Sequence, residues 1–280
     1  MIDPVIQYTL ATFSVLFGLI LGSFFNVLIW RLPRGMSTIL PGSACPNCGR
    51  PIPAHENIPV LSYLVLQGRC AGCKDPISAV YPAVEAITGV AALFLWQMLA
   101  VPRLTELITH PAQMTAVIVQ IACLLALIPI AVIDIRHFVI PDFFTLPGLV
   151  IALLLSLLPG GVTPLSSVLG VAAGGGLLYL VGLLGELAFR KPDAMGGGDV
   201  KMMAWLGALF GWVPTLVCIV CASFSGALWG GVALLLRRLR VDHRIPFGPF
   251  LALGMWVAVL WGQQVVSWYF SAMDRLILGV

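Results

Sequence analysis

The chain has 280 residues, of which 60% are hydrophobic and only 10% are charged, and its mean hydropathy is +1.02. Water-soluble domains carry about 25% charged residues, so this composition argues against a soluble enzyme, a disordered protein and a nucleic-acid-binding protein. The composition instead indicates a protein whose solvent is the lipid bilayer.

Six long segments without Asp, Glu, Lys or Arg predict the membrane-spanning helices, because about 20 apolar residues are needed to cross the hydrocarbon core. These segments are residues 4–30, 86–102, 107–133, 143–185, 202–236 and 245–273. Segment 143–185 contains a Pro-Gly-Gly sequence at 159–161, which favours a turn and predicts two helices. Segment 202–236 is interrupted at 211–214, which predicts a short helix followed by a full one. The sequence therefore predicts an all-α, polytopic membrane protein with about eight transmembrane helices.

The basic residues are distributed unevenly between the two sides of this arrangement. Placing both termini on the outer side of the membrane puts four loops in the cytoplasm, namely residues 31–81, 134–142, 190–201 and 237–247. These loops hold all fifteen Lys and Arg residues except Arg103 and Arg275. Cytoplasmic loops of membrane proteins carry an excess of Lys and Arg, so we expect these four loops to face the cytoplasm.

Four of the seven cysteines form two Cys-x-x-Cys motifs in the first of these loops. Cys45 and Cys48 form the first motif, Cys70 and Cys73 the second, and together they can supply four thiolates to one Zn²⁺. Two disulfides or an iron site are the alternatives, although cytoplasmic thiols stay reduced. A site with four thiolates is coordinatively closed, so we expect a structural role. The predicted spans and this loop divide the chain into three regions. They are a first transmembrane helix (1–30), a cytoplasmic zinc-binding loop domain (31–81) and a seven-helix transmembrane core (82–280).

Two aspartates lie at the edge of predicted spans on the same membrane face. Asp134 ends the third span, and Asp199 follows three glycines at the start of an apolar helix. Two neighbouring carboxylates share a proton, so one can activate a water while the other donates a hydrogen bond to a substrate carbonyl. This is the chemistry of an aspartic protease. Helix capping is an alternative, but it fits Asp134 poorly because this residue lies at a helix C-terminus.

Three further polar side chains have expected partners. Glu85 opens the second span, and pairing with a basic residue such as Arg31 or Arg190 is expected in preference to direct catalysis. Lys201 is expected to act on an aspartate or on the substrate terminus, or to extend to the membrane surface. Asn26 lies within the first span and should find a partner on another helix.

Six sequence segments, together with the two Cys-x-x-Cys motifs, carry a resemblance that covers nearly the whole chain. In chain order they are GSFFNVLIWRLP, ENIPVLSYL, YPAVEAITG, DIRHFVIPD, AMGGGDVKMMAWLGA and IPFGPFLALG. They resemble the type IV prepilin leader peptidase family, also called prepilin peptidase/N-methyltransferases. The resemblance implies an aspartic endopeptidase of the GxGD type whose catalytic pair is Asp134 and Asp199. It also implies cleavage of type IV prepilins and type II secretion pseudopilins after a glycine, at the cytoplasmic face of the bacterial inner membrane.

A second activity is implied by the same resemblance. Family members N-methylate the newly exposed N-terminal residue with S-adenosylmethionine, an activity linked to the cysteine loop, and Gly68 matches a glycine position associated with it. No glycine-rich nucleotide-binding turn after a strand is visible in the sequence. A peptidase without methyl transfer is one alternative, and a proton-coupled transporter that uses the same aspartates is another. The expected partners are prepilin and pseudopilin substrates and the lipid bilayer.

Overall fold

The computed structural model describes residues 4–190, 195–236 and 245–278. Within these ranges the chain forms helices and no β-strand, and only two isolated antiparallel bridges are found, both in the cysteine loop. The predicted all-α fold class is confirmed. The chain divides into two compact units, Met1–Ile133 and Asp134–Val280. Five of the basic residues counted above lie outside the described residues: Lys191, Arg237, Arg238, Arg240 and Arg244.

The first unit is built from three long helices, with a loop that contains short helical segments between the first two. Its helices are α1 (Pro4–Arg31), α2 (Leu61–Val65), α3 (Val80–Leu95), α4 (Leu104–Thr109) and most of α5 (Pro111–His137). A π turn at Trp96–Ala100 and a 3₁₀ turn at Val101–Arg103 join α3 to α4. Further 3₁₀ turns lie at Leu32–Arg34 and Ala54–Glu56. Val80–Thr109 thereby forms one candidate span of 30 residues.

Helices α1 and α3 pack closely because glycines remove side chains from their interface. A Cβ on Gly18 would lie 2.6 Å from the Cβ of Ala92, and a Cβ on Gly22 would lie 2.7 Å from the Cα of Glu85. Small residues allow helix backbones to approach in lipid. Asn26 of α1 donates a 3.0 Å hydrogen bond to the carbonyl of Tyr81 on α3, which confirms the predicted partner on another helix.

The second unit begins with the last turn of α5, and its described residues form six more helices. They are α6 (Asp142–Leu155), α7 (Pro164–Val171), α8 (Leu177–Phe189), α9 (Gly197–Phe210), α10 (Trp212–Leu235) and α11 (Gly248–Leu278). A π turn at Ala172–Gly176 joins α7 to α8. Both predicted breaks are confirmed, since α6 and α7 are separate and α9 ends one residue before Gly211. Gly211 has φ +84°, a conformation that glycine adopts at little cost.

Six of the described helical segments are long and apolar enough to cross a membrane: Pro4–Arg34, Val80–Thr109, Pro111–His137, Pro164–Ala188, Trp212–Leu235 and Gly248–Arg275. The remaining two predicted spans correspond to α6 and α9, each of 14 residues. That length is below the roughly 20 residues needed for a full crossing. The predicted eight helices are therefore six full-length helices and two short ones.

Helix α9 is the most deeply buried helix of the second unit, with every residue from Trp205 to Phe210 buried. Glycines on its neighbours explain how they approach it. Gly148 of α6 lies against the ring of Trp205, and Gly170 of α7 lies against the backbone of Gly207. Because any Cβ at these glycines would overlap α9, the close packing fixes the position of α9 and of the aspartate in its first turn.

Candidate functional site

Asp134 lies in the last turn of α5 and is buried, with 6% of its surface exposed. Its Oδ2 accepts a 2.9 Å hydrogen bond from the backbone N–H of Gly248, the first residue of α11. The unpaired N–H groups and the dipole at a helix N-terminus favour a negative charge. Helix α11 therefore stabilises an anion at Asp134, although this residue lies at the unfavourable end of its own helix.

Asp199 lies in the first turn of α9, outside the six full-length spans. Burial, and then the negative charge of the neighbouring Asp134, raise the pKa of Asp199 to about 7. The two predicted catalytic residues, from helices that are far apart in the chain, therefore lie near enough for the charge of one to act on the other. The two carboxyl groups differ in their surroundings. A backbone N–H stabilises the charged form of Asp134, whereas the surroundings of Asp199 favour its protonated form.

Glycines beside the aspartates have two different roles. A Cβ on Gly248 would lie 2.7 Å from Oδ2 of Asp134, and a Cβ on Gly196 would lie 2.7 Å from Oδ2 of Asp199. These two glycines therefore make room for the carboxylates. Gly197, in contrast, has no atom within 4 Å of its Cβ position, so it leaves open space at the start of α9.

Gly248→Ala is expected to lower the rate of substrate cleavage by the aspartate pair about tenfold or more, because the new methyl group displaces the Asp134 carboxylate from its N–H partner. Gly262→Ala in the same helix is the matched control, since a Cβ there meets nothing within 4 Å. The two variants are compared by single-turnover cleavage, with helix content measured by circular dichroism. Equal rates for both variants would contradict the proposed support of Asp134 by α11.

Lys201 pairs with Asp142, with its Nζ 2.8 Å from Oδ1 and 2.9 Å from Oδ2. This ion pair joins the first turns of α6 and α9. The two side chains are 45% and 51% exposed, so the pair stabilises the fold by about 1 kcal/mol or less. Of the three expectations for Lys201, contact with an aspartate is observed, and that aspartate is Asp142.

The two Cys-x-x-Cys motifs form turns of the same construction. In the first turn, the N–H of Cys45 donates to the carbonyl of Arg50, and the N–H of Gly49 donates to the carbonyl of Cys45. The second turn repeats both bonds, starting from Cys70. Gly49 and Lys74 occupy equivalent positions, with φ +70° and +64°. The shared pattern Cys-x-x-Cys-x-x-Pro is visible in the sequence and signals this repeat.

The four cysteine sulfurs converge on one point. Their Sγ atoms all lie within 4.8 Å of one another, with 3.9 Å between Cys45 and Cys73 and 4.0 Å between Cys48 and Cys70. Four sulfurs arranged tetrahedrally at about 2.3 Å from Zn²⁺ lie roughly 3.8 Å apart, so the cluster fits this ion. All seven cysteines are free thiols, which argues against the two-disulfide alternative. Backbone N–H groups of Cys73 and Gly72 lower the pKa of Cys70 to about 6, whereas burial and the other three cysteines raise the pKa of Cys73, so the four thiols hold their protons unequally.

Arg50 places a positive charge next to this cluster. Its guanidinium forms a bidentate pair with Glu56, with distances of 3.0 Å and 2.7 Å. Its Cδ lies 3.1 Å from the Cβ position of Gly72, in the turn between Cys70 and Cys73. One Zn²⁺ bound by four thiolates has a net charge of about −2. With such an ion bound, Arg50 would offset part of that charge, and Glu56 holds the guanidinium in a fixed orientation.

A cavity of about 700 Å³ lies in the first unit, between the end of α1, the cysteine loop and the start of α3. Cavities of roughly 300–1,000 Å³ are typical of small-molecule sites. The cavity wall includes charged and aromatic side chains, among them Trp30, Arg31, Tyr63, Tyr81 and Glu85. The sequence indicates the loop but not this cavity, because the cavity wall combines segments that are separate in the chain.

Gly68 is not part of the cavity wall, although the sequence predicts it to act in methyl transfer. It has φ +67°, and a Cβ there would lie 2.9 Å from the hydroxyl oxygen of Tyr63. Tyr63 does line the cavity. The contact therefore gives Gly68 an indirect influence on the cavity, through the position of the Tyr63 ring.

Glu85 and Arg31 do not pair with each other, contrary to the prediction. Oε2 of Glu85 accepts a 2.7 Å hydrogen bond from the backbone N–H of Val60. The Arg31 guanidinium donates to the backbone carbonyls of residues 37, 41 and 42. Each charged group is thus held by neutral backbone groups of the cysteine loop, and both remain on the wall of the cavity.

The fold and the two sites define a class: a helical, multi-pass membrane protein with a pair of neighbouring aspartates and a cysteine cluster that could hold a metal. The chain belongs to the type IV leader peptidase family. Residues 121–231 match the model of that family, and residues 16–99 match the model described as the bacterial peptidase A24 N-terminal domain. The first match contains Asp134 and Asp199, and the second contains all four clustered cysteines.

Several relatives share most of their length with this chain. It is 36% identical over 280 residues to the prepilin leader peptidase/N-methyltransferase of Aeromonas hydrophila, which covers 91% of this chain and 92% of the relative. It is 35% identical over 288 residues to the protein of the same name from Pseudomonas putida, covering 95% and 94%. The corresponding Pseudomonas aeruginosa protein is 33% identical over 286 residues, covering 91% and 92%. No solved structure matches the chain significantly.

Proposed function

We propose that this protein removes the leader peptide of type IV prepilins and type II secretion pseudopilins, and then methylates the new N-terminal amine. The observation that carries the proposal is the meeting of Asp134 and Asp199, with the N-terminus of α11 directed at Asp134. Membership of the family and the names of relatives at 33–36% identity support both activities. The family and these names favour a peptidase over a proton-coupled transporter.

The unequal surroundings of the two aspartates suggest different roles in cleavage. Asp134 is the ionised member and removes a proton from a water, whose oxygen then attacks the scissile carbonyl carbon. Asp199 holds the shared proton and donates it to the carbonyl oxygen as negative charge develops there. When the carbonyl re-forms, one hydroxyl of the tetrahedral intermediate returns a proton to Asp199. The C–N bond breaks in the same step, and the proton held by Asp134 passes to the leaving amine. The pair returns to its starting state after the two products leave.

The proposed methyl transfer requires a methyl donor, and the proposed role of the cysteine cluster requires a bound metal. S-adenosylmethionine supplies a methyl group on positively charged sulfur; the C–S bond breaks as an N–C bond forms with the deprotonated amine. Zn²⁺ bound by Cys45, Cys48, Cys70 and Cys73 cross-links the two turns of the loop. Because such a site is closed, the four cysteines maintain the loop and take no part in bond making.

The proposed topology places the aspartate pair at the cytoplasmic face of the bacterial inner membrane. The skewed distribution of Lys and Arg supports this orientation. In it, residues 1–30 form the first transmembrane helix, 31–81 the cytoplasmic loop domain and 82–280 the catalytic core. The first two regions fall within the compact unit Met1–Ile133. The basic leader of a prepilin would then stay in the cytoplasm, while its apolar helix lies in the bilayer.

Intact-mass analysis of a purified prepilin incubated with the full-length protein tests both activities. We expect loss of the leader mass without any additive, and a further gain of one methyl group only when S-adenosylmethionine is present. Heat-inactivated protein provides the control. Cleavage without the donor-dependent gain would establish a peptidase that lacks methyl transfer, and an uncleaved cognate prepilin would contradict the proposal.

A further inference from the structure

Two buried, oppositely charged side chains face the 700 Å³ cavity of the first unit. Glu85 is 9% exposed and Arg31 is 8% exposed. Buried charges are costly unless an opposite charge or several hydrogen bonds compensate them. Among the described residues, neither side chain has an oppositely charged partner. The cavity therefore presents one anionic and one cationic group, each of which can still take a charged ligand group.

The hydrogen bonds of both groups leave binding capacity. A guanidinium has five N–H donors, and the bonds of Arg31 to the loop carbonyls come from Nη1 and Nη2. They leave the Nε–H and one Nη1–H free of described acceptors. Glu85 uses Oε2 for the N–H of Val60, and no described residue bonds Oε1. One cation and one anion of a ligand can therefore be accepted at the same time.

The backbone donor of Glu85 belongs to a residue in an uncommon conformation. Val60, whose N–H bonds to Glu85, has φ +61°, which is a genuine outlier for a β-branched residue. Such a conformation persists only where the surroundings impose it. On the other side, Gly22 of α1 approaches the Cα of Glu85 directly. The carboxylate is thus fixed in place before any ligand arrives.

We propose that this cavity binds S-adenosylmethionine, with Arg31 facing the carboxylate of its amino-acid part and Glu85 facing its positively charged groups. The inference rests on the proposed methyltransferase function. The ligand is a zwitterion with an additional sulfonium charge and an aromatic base, which matches the cavity's two opposite charges and its aromatic wall. Tyr63 and Tyr81 offer rings for contact with adenine or with the cation. The donor site thus needs no glycine-rich nucleotide-binding turn.

Equilibrium dialysis of radiolabelled S-adenosylmethionine against the full-length protein in detergent tests the site without measuring activity. Glu85→Gln keeps the shape of the side chain and an oxygen for the N–H of Val60, and we expect it to weaken binding about tenfold or more. Glu106→Gln is the matched control, because Glu106 is an exposed acidic residue of the same unit, outside the cavity wall. Its binding should stay within about twofold of wild type. Wild-type affinity in Glu85→Gln would overturn the proposal.

Gly68→Ala tests whether the position of the Tyr63 ring in the cavity wall affects donor binding. The substitution places a methyl group against the Tyr63 hydroxyl and strains a residue at φ +67°, so we expect binding to fall about fivefold or more. Gly35→Ala is its control, since Gly35 has φ +64° but nothing within 4 Å of its Cβ position. An equal loss of affinity in the two variants would mean that backbone strain, and not the Tyr63 contact, weakens binding. Unchanged affinity in Gly68→Ala would contradict a place for Tyr63 in the donor site.

Photo-crosslinking of the labelled donor to the wild-type protein locates the site independently of any variant. We expect the label in peptides that contain Tyr63 or Tyr81. A label confined to peptides from residues 134–278 would overturn the proposed location, even if the protein methylates prepilin normally. A wild-type protein that neither binds the donor nor methylates prepilin would overturn the methyltransferase function itself, and this inference with it.

Discussion

Asp134→Asn and Asp199→Asn are each expected to lower the rate of prepilin cleavage about a thousandfold or more. An amide cannot remove a proton from water, so the substitution at Asp134 eliminates the base of the pair. An amide also cannot transfer a proton as a carboxylic acid does, so the substitution at Asp199 eliminates the acid. Residues that act as a unit lose most of their effect when either one is removed. The double variant should therefore be about as slow as each single one.

The measurement is single-turnover cleavage followed by intact mass, with methylation of an already cleaved peptide as a second readout. Methylation should persist in both variants, because the proposed donor cavity lies in the first unit and the aspartate pair in the second. Asp142→Asn is the matched control, since it removes a carboxylate paired with Lys201 and not a member of the aspartate pair. Cleavage above about a tenth of the wild-type rate in either dyad variant would exclude the assigned chemistry.

The pH dependence of cleavage separates the two aspartates further. Asp199, whose pKa is raised to about 7, must be protonated to act as the acid. The cleavage rate should therefore fall as the pH rises above about 7, when Asp199 loses its proton. A rate that keeps rising from pH 7 to pH 9 would contradict this assignment of roles.

Much of the architecture was predictable because the bilayer imposes a strict rule on the sequence. A spanning helix must bury its backbone polar groups within itself and show lipid an apolar surface, so long uncharged segments mark the helices. The breaks between α6 and α7 and between α9 and α10 were visible as glycine and proline clusters. The placement of Asp134 at the end of one helix and Asp199 at the start of another follows from the same boundaries.

The hydrogen-bond partners of the charged side chains could not be predicted from the sequence. Asp134 is supported by the backbone of Gly248, which is 114 residues away in sequence. Glu85 bonds to a backbone N–H of the loop, although pairing with Arg31 was the simpler expectation from charge alone. Backbone donors carry no signature in a sequence, because every residue except proline has the same N–H. Long-range contacts of this kind depend on how the helices pack.

The cysteine loop is where sequence and structure agree most closely, and it allows a strong prediction. Replacing Cys45 and Cys48 by Ser is expected to reduce the bound metal from about one Zn²⁺ per chain to about a tenth of that or less. Two of four thiolates are lost, and a hydroxyl is a poor zinc ligand at neutral pH. Elemental analysis of the purified full-length protein measures the change. Cys221→Ser, in α10 and outside the cluster, should leave the metal content unchanged.

Loss of the metal should affect the two activities differently. Arg50, Tyr63 and the carbonyl partners of Arg31 all belong to the loop that the cluster cross-links. Without the metal the cavity wall loses its fixed positions, so donor binding and methylation should fall about tenfold or more. The aspartate pair and its support from α11 lie in the other unit, so cleavage should stay within about threefold of wild type. Full metal content in the double serine variant would refute the site, and parallel loss of both activities would refute the division of functions between the two units.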